Sequence, residues 1–239
     1  MIITKLDQMI EVAKLKSKKR LVAAFANDNH TIDAVNQAME LGIIDGILVG
    51  DEPTILSVCE HEKIDPKKFR IVHEPDEQKA AHKAVDLIVK GEGDILMKGL
   101  VSTDKYMRAI LNKEAGLMPP KAVLSHVTVM ENAKYHKLMI VGDVAIIPAP
   151  DLDQKIAITN YLINTARSLG IEKPKVALIA ATEQMLPGMQ ACIDASIISK
   201  MADRGQIKNA FVDGPLSLDA AIDKESAQIK KIGGVDAGD

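Results

Sequence analysis

Short apolar runs alternate with amphipathic helical segments along almost the whole of this sequence, and that alternation constrains the fold more than any other feature. Strand candidates are "LVAAFA" (21–26), "GILVG" (46–50), "RIVH" (70–73) and "DILMKG" (94–99), then "AVLSHVTVM" (122–130), "LMIVGD" (138–143), "VALIAA" (176–181) and "AFVDG" (210–214). Several are apolar on both faces, as strands buried in a parallel sheet are. Between them, Ile32, Val35 and Met39 share one face of a helix over 31–42. Ala81, Ala84, Val85 and Ile88 do the same over 77–90, and Ile158, Leu162, Ala166 and Leu169 over 153–169. These spacings follow the 3.6-residue period. Gly42 and Gly170 stand where helices should stop. Repeated strand–helix units predict an α/β chain with mostly parallel sheets and helices on both faces, that is, three layers.

The pattern changes once. After Pro119 and Pro120, two strand candidates follow one another, joined by "ENAKYHK", which reads as a β-hairpin and as the start of a second domain. The expected domains are 1–120 and 121–239. The last ten residues, "KKIGGVDAGD", read as a loop-like end after a helix.

Composition narrows the function. Only 3% of residues are aromatic, so aliphatic side chains and 11 Met must fill the core. With a net charge of −3 and no basic tract, nucleic acid is not an expected partner, and an anionic ligand must be held by local donors. Cys59 and Cys192 form no CxxC pair and read as free thiols of a reducing compartment, the cytoplasm. The N-terminal twenty residues read as an amphipathic helix, not a targeting segment. No apolar run approaches the ~20 residues of a membrane span.

Ligands of open α/β sheets bind beyond the carboxyl ends of the strands. There, "MKGLVST" (97–103) concentrates donors: Lys98, Gly99, Ser102, Thr103 and Lys105 fall within eight positions, with Arg108 a helical turn later. A helix N-terminus offers unpaired N–H groups and a positive dipole end. Hydroxyls add donors, and Arg can grip phosphate with two N–H groups. The turn is neither a GxxxxGK[ST] nor a GxGxxG loop. A second string, "VDGPLSLDAAI", ends a strand at Asp213, turns at Gly214 and Pro215, and places Asp219 in the first turn of the next helix. A third, "LSHVTV", sets Ser125 beside His126. Neighbours on a strand point to opposite faces, so the two cannot form a nucleophile–base pair, and no GxSxG elbow is present. The six His show no ligand spacing, so no metal is expected.

Taken together, "GDILMKGLVSTDKYMRAIL", "LSHVTVME", "KLMIVGDVAIIPAPDLDQKIAI" and "SKMADRGQIKNAFVDGPLSLDAAI" resemble the phosphate acetyl/butyryltransferase family, on its butyryltransferase side, over nearly the whole chain. The resemblance implies two three-layer α/β domains of the isocitrate dehydrogenase-like fold, with the active site in the cleft between them. It implies acyl-CoA plus phosphate giving acyl phosphate plus CoA, no metal or redox cofactor, and a homodimer or larger oligomer. Lys98, Gly99, Ser102, Thr103, Arg108, Ser125, Gly214 and Asp219 then bind phosphate or CoA; Arg108 matches an arginine that acetyltransferases of the family use near those groups. The family's chain continues past the "VDGPLSLD" helix through a strand and a segment that returns to the first domain. That segment carries a Ser-Arg pair and, in phosphate acetyltransferases, an Asp that looks like the general base. These 239 residues stop before it, which leaves His126 and Asp213 as candidate bases. Two other readings stand beside this one: a relative that binds CoA or a partner without turnover, and a metal- and NAD-dependent dehydrogenase of the same fold class.

Overall fold

The computed structural model describes residues 2–234 and 237–238. It divides into two compact units, Ile10–Ala122 and a second made of Met1–Met9 with Val123–Asp239.

The first unit is built on four parallel strands, β1 (Lys19–Ala24), β2 (Ile44–Gly50), β3 (Arg70–His73) and β4 (Ile95–Lys98), in the order β3-β2-β1-β4. Helix α1 (Leu6–Lys14) precedes them. Side chains of β1 alternate between two cores, as a strand covered on both faces requires. Val22 and Ala24 pack with α4 (Glu77–Val89) through Ala81, Ala84 and Val85. Ala23 packs with α2 (Asn29–Glu40) through Ile32 and Val35, and with α3 (Glu52–Glu62) through Ile55 and Cys59. Helices therefore lie on both faces, giving three layers.

The chain runs β1, β2, β3 towards one edge and then crosses to place β4 on the far side of β1. The order reverses between β1 and β4, and the carboxyl ends at such a reversal are where open α/β sheets bind their ligands. Gly99 lies at that point. Its N–H donates to Ala24 O and the Leu100 N–H to Phe25 O, each at 3.0 Å. A Cβ on Gly99 would sit 2.7 Å from both carbonyl oxygens, so only glycine lets the chain pass this close.

In the second unit β5 (Thr128–Met130) and β6 (Met139–Val141) form the expected antiparallel hairpin, and β7 (Lys175–Ile179) pairs in parallel with β8 (Phe211–Leu216). Among the described residues these are two separate two-stranded sheets. Helix α6 (Leu152–Ser168) starts at a reciprocal cap between Asp151 and Gln154. It packs Ile163 with Val176, Val212 and Ile198 of α7 (Gln190–Asp203). Lys155 reaches from α6 to the buried Asp194 at 2.6 Å, where Gln190 also donates to the carboxylate. Two short helices close the chain, α8 (Leu218–Ile222) and α9 (Lys224–Ile229).

Two local expectations are corrected. The strand expected over 122–130 shrinks to β5, and Ser125 and His126 lie in irregular backbone before it. The strand ending at Asp213 instead continues to Leu216, absorbing Gly214 and Pro215 in a register shift opposite residues 177–179. Gly42 and Gly170 leave α2 and α6 with φ of 77° and 90°, the left-handed exit that glycine supplies. Among the described residues, no helix is long and apolar enough to cross a membrane.

Candidate active site

In the first unit the 98–108 turn leaves the carboxyl end of β4 and enters α5 (Thr103–Ile110). Lys98, Ser102, Thr103 and Arg108 are exposed on it. Ser102 occupies the N-cap position, but its side chain caps nothing. A residue the sequence did not single out meets this helix start instead. Glu77, in the first turn of α4, accepts the Ser102 N–H at 2.6 Å and pairs with the Lys105 ammonium. Lys105, and then the Ser102 N–H, hold the Glu77 carboxyl below the usual carboxylate range. Arg108 pairs with Asp104 one turn back, at 3.0 Å. Lys98 touches only the Gly99 carbonyl, at 3.4 Å, and has no carboxylate partner among the described residues. The turn thus holds one unpaired ammonium, one exposed guanidinium, and the N–H groups that the first turn of a helix leaves open. That set suits an anion with several acceptor oxygens.

In the second unit Ser125 and His126 are brought together by Asp143, which sequence reasoning also missed. Asp143 Oδ2 accepts the Ser125 hydroxyl at 2.9 Å and the His126 N–H at 3.1 Å, while Oδ1 accepts Ala145 N–H at 2.7 Å and Ile146 N–H at 2.9 Å. Partial burial pushes the Asp143 carboxyl up, but the Ala145, Ile146, His126 and Ser125 donors outweigh it and hold it at about 2. His126 Nδ1 lies 3.2 Å from Thr128 Oγ1, so the ring is oriented from one side. The expectation that Ser125 and His126 oppose each other across a strand fails here, because neither is in one. What carries over is their chemistry: the only hydroxyl proton of Ser125 is given to Asp143, so Ser125 Oγ faces any ligand as an acceptor.

Asp213 and Gly214 lie inside β8. Asp213 Oδ1 accepts the Gly214 N–H at 2.8 Å, and Gly234 lies so close to Oδ2 that a Cβ there would come within 2.0 Å. Both oxygens of this candidate base are therefore lined by backbone. Asp219 belongs to a cluster at the carboxyl ends of β7 and β8. Lys230 donates to Glu183 at 2.8 Å, to Ser217 Oγ at 2.8 Å and to Asp219 at 3.0 Å, and the Ser217 hydroxyl also pairs with Glu183. Lys230 first, then Ser217, holds Glu183 at about 2; Ser217 and then Lys230 do the same for Asp219. An ionised Asp219 repels phosphate, and here its carboxylate is paired with Lys230. Among the described residues no group of His, Cys, Asp and Glu is arranged to hold a metal.

Glu77 and Lys230 left little trace in the sequence, whereas Asp143 and Glu183 stand in strand-end strings. The signal available for Asp143 was its place at the end of "LMIVGD", a strand-end carboxylate of the kind already sought elsewhere.

A parallel α/β sheet with a donor-rich turn at its point of reversal is the framework of an anion-handling α/β enzyme, and known structures sharpen that class. A branched-chain phosphotransacylase from Enterococcus faecalis superposes with a TM-score of 0.77 at 27% identity, covering 92% of this chain and 76% of its own. The family model described as phosphate acetyl/butaryl transferase matches residues 4–82 and 73–238. The chain belongs to that acyltransferase family. It is 44% identical to a phosphate butyryltransferase from Clostridium acetobutylicum, over 97% of this chain and 77% of that protein. It is 37% identical to a phosphate acetyltransferase from Thermotoga maritima, over 95% of this chain and 76% of that one. The dehydrogenase alternative falls with these matches.

Proposed function

We propose that the chain transfers a short acyl group, butyryl before acetyl, between CoA and inorganic phosphate. The observation that carries this is the exposed donor set of the 98–108 turn, in a chain 44% identical to a phosphate butyryltransferase. Lys98, the open N–H groups around Thr103 and the Arg108 guanidinium hold phosphate or the phosphates of CoA, with the close packing of Gly99 and Ser102 fixing the turn. A phosphate oxygen attacks the thioester carbonyl, the C–S bond breaks, and CoA leaves as the thiolate, which takes up a proton. Negative charge gathers on the carbonyl oxygen during the step, and prearranged donors lower its cost. Holding both substrates in line supplies much of the rest. Ser125 and Gly214 bind substrate in this reading. His126, its backbone held by Asp143 and its ring by Thr128, is the favoured base over Asp213, whose Oδ1 already accepts the Gly214 N–H.

CoA and phosphate are substrates here, and no metal or redox cofactor takes part. The two buried free thiols, Cys59 and Cys192, fit a reducing cytoplasm, and the working form is a homodimer or larger.

The test is CoA release from butyryl-CoA, with and without phosphate, followed by a thiol reagent, with acetyl-CoA and an EDTA control alongside. Phosphate-dependent release that survives EDTA and is faster with butyryl-CoA supports the proposal. Release that ignores phosphate refutes it.

A further inference from the structure

The anion turn already holds an anion of its own. Glu77 takes the Ser102 N–H with one carboxylate oxygen and the Lys105 ammonium with the other, the kind of pairing a phosphate group would make. We propose that Glu77 is a specificity-setting residue: it removes Lys105 and one backbone donor from substrate binding and so limits how much negative charge the turn accepts. This rests on the reading that the 98–108 turn binds phosphate.

The neighbouring charges single out Glu77. Asp76 spends its carboxylate capping α4 on the Lys79 N–H, and Glu74 accepts the Asp76 N–H. Asp104 faces outward to Arg108 in a pair exposed on both sides, at 72% and 69%. Such a pair opens to a competing anion at little cost. Glu77 and Lys105 are more enclosed, at 27% and 39%, and Glu77 ties the start of α5 to the start of α4. Lys105 therefore looks like a phosphate ligand by position yet is satisfied within the fold. The cations left to the substrate are Lys98 and the easily released Arg108, with the helix terminus adding roughly half a positive charge. That combination matches a single phosphate dianion better than a more highly charged group.

Glu77→Gln separates the two roles of the carboxylate. The Gln carbonyl can still accept the Ser102 N–H, which keeps the helix start, while its amide no longer pairs with Lys105. The freed ammonium joins the site, so the KM for phosphate should fall about two- to fivefold, the scale of one exposed charge contact. Inhibition by pyrophosphate should tighten more than that. Lys105→Met alone should move the phosphate KM less than about twofold, because Lys105 is already engaged. Glu77→Gln with Lys105→Met should return it to the parental value, and Glu77→Asp, which keeps the charge, should stay close to it.

A role confined to holding the fold gives the opposite sign: Glu77→Gln would raise the KM and lower the melting temperature together. That result, or a several-fold rise from Lys105→Met alone, overturns the proposal. Absence of phosphate-dependent release from the parental chain is a different failure, that of the acyltransferase reading. In that case the same four variants are titrated with inorganic phosphate by calorimetry. Tighter phosphate binding by Glu77→Gln upholds the proposal there, and unchanged or weaker binding ends it.

Discussion

Replacing Asp143 by Asn should destabilise the second unit by about 2 kcal/mol and change its response to acid. The carboxylate accepts four donors, from Ser125, His126, Ala145 and Ile146. An Asn has one acceptor oxygen, which the shorter Ala145 and Ile146 contacts claim. Its amide then faces the His126 N–H, donor against donor, and Ser125 must turn its hydroxyl round. One charge-assisted hydrogen bond is lost, at ~1.5–3 kcal/mol, and the remainder weaken to neutral strength. The carboxyl's proton affinity expresses the same contacts as a second figure. It falls from an ordinary 3.8 to about 2, which at ~1.4 kcal/mol per tenfold change is roughly 2.5 kcal/mol, less a discount for its half-exposed position. At about 4 °C per kcal/mol for a domain of roughly 100 residues, the melting temperature should drop by about 8 °C.

The pH dependence fixes the sign. A carboxyl depressed in the folded state stabilises it fully above its unfolded value near 3.8, and that contribution disappears as the pH falls through about 2. Urea midpoints of the two proteins should therefore differ most at pH 7, and the gap should narrow by roughly half by pH 3. A gap that is absent at pH 7, or constant with pH, would refute the reasoning.

Two further substitutions test the first unit. Gly99→Ala places a methyl 2.7 Å from the Ala24 and Phe25 carbonyl oxygens, so the chain after β1 and the chain after β4 must part. This should cost about 1–3 kcal/mol, read as a lower urea midpoint; a midpoint unchanged within error contradicts the packing. Arg108→Ala should cost under about 0.5 kcal/mol of stability, because its pair with Asp104 is exposed, yet raise the KM for phosphate or acyl-CoA about 10- to 150-fold, the worth of a charged hydrogen bond. Steady-state kinetics beside a thermal melt checks both halves, and unchanged constants for both substrates would remove Arg108 from the site.

The sheet of the first unit was legible because its physics is local. Both-face apolar strands, a 3.6-residue helical period and glycine exits at Gly42 and Gly170 each follow from a few adjacent residues. The 98–108 turn was legible for the same reason, since its donors are consecutive in sequence. The partners that qualify it were not. Glu77 lies 25 residues before Ser102, Asp143 lies 18 after Ser125, and Lys230 lies 47 after Glu183. Each sits in a string that reads as an ordinary helix start or loop, and only the packing of elements joins them. The strand expected to run through Ser125 and His126 failed because apolar composition cannot show that Asp143 holds that backbone by its N–H instead of a neighbouring strand.

The most direct test of the acyltransferase account is the fate of the acyl group. Butyryl-CoA and phosphate are incubated with the protein, hydroxylamine is added, and the hydroxamate formed from acyl phosphate is compared with the CoA released. The account predicts hydroxamate in step with CoA, appearing only with phosphate. CoA release accompanied by free butyrate alone would make water the acceptor and contradict it.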